Sequence, residues 1–438
     1  MSAYPPMTGL IDCNNFFVSC ERVFHPELRD RPVIVLGNND GCVVAMSNEA
    51  KALGITRGIP LFKIRDIVSR HNIAVLSGNH RLYSDMSSRV MMTLASLADG
   101  LEISSIDEAY INLDAVDDNE LPAYGQSIVK TIKKNVGIPV SLGIASTRTL
   151  AKAAARFAKK YPGYKGACII DTPDKRAKAL ELTGIGDVWG IGRRLSERLK
   201  TQGIYTALDF ARLPKETIRD RYNINLERVW RELNGEACIG TEESIEGPQK
   251  SLTCSRTFAT EIYSLEELND AVAQHAAYVA ERLRRHGCHC SAISVYIATN
   301  RFKESYYSNI AQHRMPEATN DTSILCKEAK AALAGIFRPG YGYKRAGVTA
   351  TQIIDGNGLQ QSLFCDHDDL MKRRRLMSAL DKINRENAGH DKVHLASIPS
   401  KSVASKEHTS RLYTTRMSDI IDIKCVDPSD NPEAGKKD

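Results

Sequence analysis

Three acidic side chains stand where short apolar segments end or change phase, and acids in such positions can hold metal ions. Asp12 closes the segment GLI, whereas Asp107 and Glu108 are adjacent in LEISSIDEAYINLD, residues 101–114. Apolar residues occupy odd positions on both sides of this pair, and the phase changes only at Ile106. The alternation predicts flanking strands, each with one buried face, and the change predicts a turn or strand end that aims both acids into one space.

Carboxylates that converge on one point repel one another unless a cation neutralises them. Hard oxygen donors suit Mg²⁺ or Mn²⁺ better than zinc. Two such ions about 4 Å apart can hold the attacking and the leaving oxygen of a phosphoryl displacement. The pattern therefore predicts a two-metal site at Asp12, Asp107 and Glu108. The alternative is a helix cap at Asp12 and two exposed turn acids.

Lysines on helices that follow predicted strands could complete such a site. Lys51 lies after the predicted hairpin at NNDG, and Lys152 and Lys159 lie on the helix after the strand at 138–145. An ammonium group near metal-bound phosphates supplies a point charge to a triphosphate. Solvated lysines on helix surfaces are the alternative.

The segment GIGRRLSERLK, residues 190–200, joins a Gly-Ile-Gly turn to a basic helix. Gly190 and Gly192 let the backbone approach an anion closely, and the first N–H groups of the next helix face that anion. Arg193 and Arg194 add positive charge beside the turn. The arrangement favours a sequence-independent grip on a DNA phosphate, and an ordinary helical hairpin is the alternative.

Strands and helices alternate through the first part of the chain, which predicts an α+β or α/β catalytic domain with an inserted hairpin–helix unit. A helical region, a polar linker and a small, separate α+β domain are expected to follow. Strands are predicted at 32–37, 41–47, 138–145, 166–171, 291–300 and 346–354, and helices at 121–136, 148–160, 264–286 and 323–337.

Composition narrows the class of protein. The formal net charge of +6 permits an anionic partner, and basic clusters at 190–200 and 372–375 make nucleic acid a candidate. The eleven cysteines are scattered without a CxxC motif, and HGCHC at 286–290 lacks a second ligand pair for zinc. No apolar run approaches the roughly 20 residues of a membrane helix, and no secretory signal is evident. A cytoplasmic protein is expected.

Six motifs together resemble Y-family translesion DNA polymerases, most of all the UmuC-type branch that supplies the catalytic subunit of SOS mutagenesis. They are DCNNFF, NNDGCVVAMSNEAKALG, LYSDMSSRV, SIDEAY, TLAKAAARFAKK and DVWGIGRRLSERL, in the expected order within residues 8–425. The resemblance implies an α+β multidomain, right-hand polymerase. Its implied parts are a palm at 1–12 and 81–170, small fingers at 13–80, a helical thumb with a helix-hairpin-helix at 171–240, a linker at 241–250, a separate α+β little finger at 251–352 and a C-terminal tail at 353–438.

The resemblance also implies roles for single residues. Asp12, Asp107 and Glu108 would hold two Mg²⁺ ions, with the backbone carbonyl of Cys13 as a further ligand. Phe17 would be the steric gate that excludes a ribose 2′-OH, at a position where UmuC-type proteins often carry Tyr. Small side chains around the new base pair would check its shape weakly. The other residues implied to contact the dNTP are Phe16, Ala45, Lys51 and Lys159.

The tail carries a candidate motif for a sliding clamp. QQSLF contains Gln360, Ser362, Leu363 and Phe364, and its apolar pair would enter a pocket on the clamp. The segment RLYTTRMSD, residues 411–419, resembles the region that in UmuC-type subunits meets a processed UmuD-type dimer and a recombinase filament. Primer–template DNA and dNTP are the other expected partners, and no membrane is expected.

The predicted reaction is template-directed, error-prone transfer of a nucleotide from dNTP to a primer 3′-OH opposite lesions. Two alternatives are a metal-dependent nuclease or cyclase and a catalytically inactive DNA-binding subunit. The nuclease or cyclase would not need a gate at Phe17, and the inactive subunit would not need the acids. The expected location is the bacterial cytoplasm, with nucleoid association during synthesis.

Overall fold

The structure is a computed structural model that describes residues 6–117, 119–240, 249–356, 367–386, 393–395 and 407–421. Contacts divide the chain into two units. The first comprises Met1–Glu242 and Glu407–Asp438, and the second comprises Glu243–Lys406. In sequence, the second unit is therefore inserted between two parts of the first. No described helix is both long enough and apolar enough to cross a lipid bilayer.

A five-stranded sheet in the order β5-β6-β1-β7-β8 lies at the centre of the first unit. The pair β7–β8 is parallel and the other neighbours are antiparallel. The strands are β1 Thr8–Cys13, β5 Glu102–Ile103, β6 Glu108–Asn112, β7 Val140–Ala145 and β8 Ala167–Ile170.

Helices cover both faces of this sheet. Alternate strand residues enter two apolar layers, because Ile11 and Ile111 pack on one face whereas Leu10 and Tyr110 pack on the other. Both faces of β6 are thus buried, and Ile103 in β5 is 59% exposed, so the expectation of one buried face for each strand is wrong here. The helices are α1 Phe16–Phe24, α4 His80–Ala95 and α5 Leu121–Val136 on the first face and α6 Arg148–Lys160 on the second.

Gly143 in β7 lets α6 approach the sheet very closely. A Cβ atom at this position would lie 2.1 Å from both the carbonyl oxygen of Ala151 and the amide nitrogen of Ala155. Only a residue without a side chain fits there. The contact therefore fixes the distance between α6 and the sheet, and with it the positions of the lysines on α6.

A smaller sheet in the order β3-β2-β4 lies between β1 and α4 in sequence. The antiparallel pair β2–β3 confirms the hairpin predicted at NNDG. The elements are β2 Val33–Leu36, β3 Val43–Met46, α2 Asn48–Ala52, α3 Arg65–Arg70 and β4 Ala74–Ser77. The helical region predicted after β8 is confirmed as α7 Pro173–Leu182, α8 Arg193–Lys200, α9 Ala207–Ala211, α10 Lys215–Arg221 and α11 Ile224–Leu233.

The second unit contains an antiparallel sheet in the order β11-β10-β12-β9, with two helices packed on one face. The prediction found β10, β12 and both helices but missed the edge strands β9 and β11. In β11 only one of twelve residues is buried, so a polar sequence conceals the strand. The elements are β9 Ser251–Ile262, α12 Leu265–Arg285, β10 Cys288–Thr299, β11 Ser308–Thr319, α13 Thr322–Ile336, β12 Tyr343–Asp355 and α14 His367–Glu386.

Candidate active site

Strands β1 and β6 bring the three predicted acids together. Asp12 is opposite Glu108 in the antiparallel register, so both side chains project from the same face. The amide of Cys13 donates to the carbonyl oxygen of Asp107 over 2.9 Å, which holds the segment before β6 against the end of β1. The amide of Ser105 donates to the carbonyl oxygen of Glu108 over 3.1 Å. The turn predicted from the change of phase is confirmed.

Two lysines from α6 neutralise two of the acids. Lys159 Nζ lies 2.8 Å from Asp12 Oδ1, and Lys152 Nζ lies 2.7 Å from Glu108 Oε2. The two lysines are seven residues apart, which is about two helical turns, so both project toward the sheet edge from one side of α6. Each ammonium group offsets the negative charge of one carboxylate.

Asp107 is held by its own turn. The Ser105 hydroxyl donates to Asp107 Oδ1 over 2.7 Å and accepts from the Asp107 amide over 3.2 Å. Within the described part of the chain, no three His, Cys, Asp or Glu side chains adopt a metal-ligating arrangement. The donors nevertheless fit a hard divalent cation, because they are carboxylates and two of them already bind a cationic nitrogen.

The acids border a cleft of about 350 Å³, a size suited to a small-molecule ligand. Every residue that the resemblance implies to hold metal or dNTP lines this cleft, whereas Lys152, the third lysine suggested by helix position, does not. The complete lining is Asp12, Cys13, Asn15, Phe16, Phe17, Val44, Ala45, Met46, Lys51, Arg57, Asp107, Glu108 and Lys159.

Phe17 rests on a buried aromatic platform that the sequence did not predict. Its ring stacks on Tyr83 of α4, with centroids 4.4 Å apart and planes 15° from parallel. The Tyr83 hydroxyl donates to Glu21 Oε1 over 2.7 Å, and both side chains are buried. Burial raises the pKa of the Glu21 carboxyl and, more strongly, the pKa of the Tyr83 hydroxyl. The only local signal for Tyr83 was its place in the motif LYSDMSSRV.

The positive side of the cleft contains Lys51 and Arg57. Lys51 Nζ donates to Asn15 Oδ1 over 2.6 Å. Burial, followed by repulsion from Lys159, lowers the pKa of the Lys51 ammonium group. Arg57 Nε donates to the Val44 carbonyl oxygen over 2.8 Å. Sequence reasoning missed Arg57, whose charge in a short loop was its only signal.

Comparison with known proteins decides the family. Residues 11–156 match the impB/mucB/samB family, residues 249–363 match its C-terminal domain, and residues 374–423 match a domain of unknown function, DUF4113. Protein ImpB of Salmonella typhimurium is 39% identical over 423 residues, which are 94% of this chain and 99% of that protein. The chain belongs to the impB/mucB/samB family. Protein UmuC of Salmonella typhimurium strain LT2, a relative in the same family, is also 39% identical, over 95% of this chain and 100% of its own.

Wider comparisons show that the chain is also similar to DNA polymerases. DNA polymerase IV of Dehalococcoides mccartyi strain CBDB1 is 29% identical over 66% of this chain and 72% of its own. A solved Y-family DNA polymerase chimera of Dbh and Dpo4 has a TM-score of 0.64 at 20% identity, and covers 80% of this chain and 99% of its own. An insertion ternary complex of Dbh DNA polymerase has a TM-score of 0.52 at 21% identity, with the same coverage.

The chain therefore has the multidomain α+β fold of a Y-family polymerase, as predicted, and is a UmuC-type translesion DNA polymerase. The nuclease and inactive-subunit alternatives are not favoured. Relatives of this kind imply a general dependence on divalent metal ions.

The predicted DNA-binding residues Gly190, Gly192, Arg193 and Arg194 are not part of the cleft lining. Gly190 has a φ of +90°, and Gly192 precedes α8 without a side-chain cap. Arg193 and Arg194 at the start of α8 are exposed. The clamp-motif residues lie outside the described part of the chain; they are Gln360, Ser362, Leu363 and Phe364.

Proposed function

We propose that this UmuC-type polymerase adds nucleotides opposite damaged template bases, with frequent errors, during SOS mutagenesis and DNA damage tolerance. The primer 3′-OH attacks the α-phosphorus of a dNTP in line, and pyrophosphate leaves. The observation that carries the proposal is that the three acids and the Phe17 ring border the same cleft. A dNTP in that cleft would have its phosphates beside the acids and its sugar beside the ring.

The proposed cofactor is a pair of Mg²⁺ ions, with Mn²⁺ as a substitute. Asp12 and Asp107 would hold both ions, Glu108 and the carbonyl of Cys13 would add ligands, and the bound ions would neutralise charge on the reacting oxygens. The ion pairs of α6 support this assignment, because Lys152 and Lys159 already supply positive charge at two of the carboxylates. Released from the acids, both ammonium groups would be free to contact the triphosphate.

The other walls of the cleft have proposed roles in selecting and holding the dNTP. Phe17 would act as the steric gate, since a ring against C2′ excludes ribose by collision rather than by attraction. Val44 and Ala45 are small, so the wall they form would tolerate a distorted base pair. Lys51 and Arg57 would hold the triphosphate together with Lys159.

DNA contacts are proposed for two further surfaces. The Gly-Ile-Gly turn before α8, with exposed Arg193 and Arg194, would grip a phosphate in the thumb, residues 171–240. In the little finger, residues 251–352, the sheet face opposite α12 and α13 carries hydroxyl groups, for instance Thr253 and Thr349, whose Oγ1 atoms are 3.0 Å apart. The proposed palm comprises residues 1–12 and 81–170, and the proposed fingers comprise residues 13–80.

The proposed partners follow from the likeness to UmuC. They are primer–template DNA, a sliding clamp at residues 360–364, and a processed UmuD-type dimer with a recombinase filament. Because a DNA polymerase works on chromosomal DNA, the proposed place of work is the bacterial cytoplasm, at the nucleoid.

Primer extension past an abasic template, with and without the clamp and a UmuD-type dimer, tests the proposal. We expect the primer to lengthen in Mg²⁺, to stop lengthening after chelation with EDTA, and to resume when Mg²⁺ is restored in excess. An undamaged template serves as the control for general competence. Shortening of the primer, or extension that persists without divalent metal, would contradict the proposed reaction.

A further inference from the structure

Residues 407–421, here called the strap, pack into the first unit, although they follow the second unit in sequence. The strap begins at the end of β4. The amide of Ser77 donates to the carbonyl oxygen of His408, and the amide of His408 donates to Ser77 Oγ, both over 2.9 Å. The amide of Glu407 donates to Asp40 Oδ2 over 2.8 Å. These bonds join the strap to the small sheet.

A second set of contacts joins the strap to the start of α4. Asn79 is buried, and its Oδ1 accepts from the amide of Leu82, so Asn79 caps α4. The Nδ2 of the same side chain donates to Ser410 Oγ over 3.0 Å and to the carbonyl oxygen of Arg411 over 3.2 Å. One side chain thus holds both the helix and the strap.

A third contact anchors the strap to the end of α1. The Tyr413 ring stacks on Phe24, with centroids 4.9 Å apart and planes 6° from parallel. Its hydroxyl lies 2.6 Å from His25 Nε2, and the side chain is buried. An aromatic anchor at this depth gives the strap a defined position rather than a loose surface contact.

Between these anchors, Ser410 reaches the platform beneath the gate. Ser410 Oγ donates to Glu21 Oε1 over 3.1 Å, and the Tyr83 hydroxyl donates to the same oxygen over 2.7 Å. Tyr83 in turn stacks on Phe17. An unbroken series of contacts therefore runs from the strap through Glu21 and Tyr83 to the wall of the cleft.

We propose that the strap positions the Phe17 ring through Ser410, Glu21 and Tyr83, and thereby sets how strictly the nucleotide site excludes ribose. The inference rests on the proposed role of Phe17 as the steric gate. Ser410, Glu21 and Tyr83 are positioning residues, because none of them needs to touch the nucleotide.

The physical basis is the demand of a buried carboxylate for donors. Glu21 is fully buried, and its Oε2 has no hydrogen-bond partner among the described residues. The two hydrogen bonds that Oε1 accepts therefore offset the free-energy cost of burying the carboxyl group. Without the Ser410 hydroxyl, Glu21 would move toward other donors and take the Tyr83 hydroxyl with it. Steric repulsion depends steeply on distance, so a small shift of the stacked Phe17 ring would relax the exclusion of a 2′-OH.

The test is Ser410→Ala in the full chain, assayed by single-nucleotide insertion of dNTP and of the matching rNTP with the UmuD-type partner present. We expect the ratio of kcat/KM for dNTP to that for rNTP to fall about 3- to 10-fold, the size of effect that loss of one hydrogen bond produces. A loss of folded protein would lower both values equally and leave this ratio unchanged. The ratio therefore separates positioning from stability.

Two further strap variants serve as controls. Ser410→Thr keeps the hydroxyl and should restore the wild-type ratio. Ser418→Ala removes a strap hydroxyl whose bond is to the neighbouring Asp419 Oδ1, and should leave the ratio unchanged. An unchanged ratio in Ser410→Ala, or an equal fall in Ser418→Ala, would overturn the inference.

Phe17→Ala distinguishes failure of this inference from failure of the proposed gate. If Phe17→Ala admits rNTP freely while Ser410→Ala behaves like wild type, only the strap loses its role. If Phe17→Ala leaves sugar selection intact, the gate itself is wrong and the inference falls with it.

Tyr83→Phe provides an independent route if Ser410→Ala does not fold. It keeps the stacking ring and removes the hydroxyl that reaches Glu21, so it should lower the ratio in the same direction. Where Ser410→Ala does fold, the losses in the double variant should be less than additive, because both act through Glu21. Fully additive losses, or no loss from Tyr83→Phe, would contradict a shared route to the gate.

Discussion

The two large sheets of this polymerase place their polar groups differently, one at its strand ends and the other along one face. In the first unit, β1 and β6 are five or six residues long, both faces are buried, and the charged groups gather where the strands end. In the second unit, the strands have 12 or 13 residues, and α12 and α13 cover only one face. The opposite face, on which neither of the described helices α12 and α13 packs, carries hydroxyl groups and Arg345.

The difference shows how a sheet's geometry suits its ligand. Strand ends bring a few side chains from separate elements to one point, which is what a reacting phosphorus atom needs. A long open face instead repeats similar groups over a distance, which suits the repeating backbone of DNA. Substitutions in the first sheet should therefore change mainly the rate of nucleotide transfer, and substitutions in the second should change mainly the affinity for DNA.

The largest expected effect concerns the strand ends. Asp107→Asn keeps the shape of the side chain but removes its charge, so kcat in single-turnover primer extension should fall about 1000-fold. DNA affinity, measured by fluorescence anisotropy, should hardly change. Asp85→Asn is the matched control, because Asp85 pairs with Arg89 on the surface of α4. Substantial activity in Asp107→Asn would move the chemistry away from these strand ends.

The next prediction concerns the close packing of α6 on the first sheet. Gly143→Ala would place a methyl group 2.1 Å from the backbone of α6, so the free energy of unfolding of the first unit should fall by about 3 kcal/mol. Urea titration would measure the loss. Gly163→Ala, where no atom beyond the neighbouring residues in the chain lies within 4 Å of the added carbon, should be nearly neutral. Equal stability of the two variants would mean that α6 is free to move off the sheet.

A smaller effect should appear in the pH dependence of dNTP binding. Because the pKa of Lys51 is lowered, its ammonium form is lost at a lower pH than that of an ordinary lysine. The KM for dNTP should therefore rise as the solution is made alkaline, over a pH range that begins below about 10.4, the pKa of an ordinary lysine. Lys51→Arg keeps its charge throughout this range and should flatten the profile, whereas Lys63→Arg at an exposed position should not. A profile that Lys51→Arg leaves unaltered would argue against contact with the triphosphate.

The smallest expected effect concerns the face of the second sheet opposite α12 and α13. Arg345→Ala should weaken DNA binding about threefold and reduce the slope of log affinity against log salt by about 1, with kcat unchanged. Lys327→Ala on α13, which packs against the covered face, is the matched control. If both variants lose affinity equally, the face opposite α12 and α13 has no special part in the grip.

The sequence predicted elements well wherever the signal was local. The bounds of α5 and α6 agree with the predicted ranges 121–136 and 148–160, because apolar periodicity and flanking turn residues define both ends. The convergence of Asp107 and Glu108 with Asp12 was predictable for the same reason. A change of phase in a strand pattern is visible without knowledge of the rest of the chain.

Features that depend on distant partners were not predictable. The edge strands β9 and β11 present polar residues to solvent, so their alternation is weak and only pairing with β12 and β10 reveals them. The ion pairs of Lys152 with Glu108 and Lys159 with Asp12 depend on the depth at which α6 packs. Spacing within a helix gives the side on which a lysine lies, but it does not give the acid it meets.

The long sequence separation of the strap has a consequence for how the enzyme is made. Ser410 meets Asn79 across 331 positions, so the fingers and the catalytic acids leave the ribosome long before the residue that braces the gate. A polypeptide released early, or clipped between the two units, would retain its acids and lose that brace. Fidelity toward the sugar is thus conferred later in translation than the catalytic acids are.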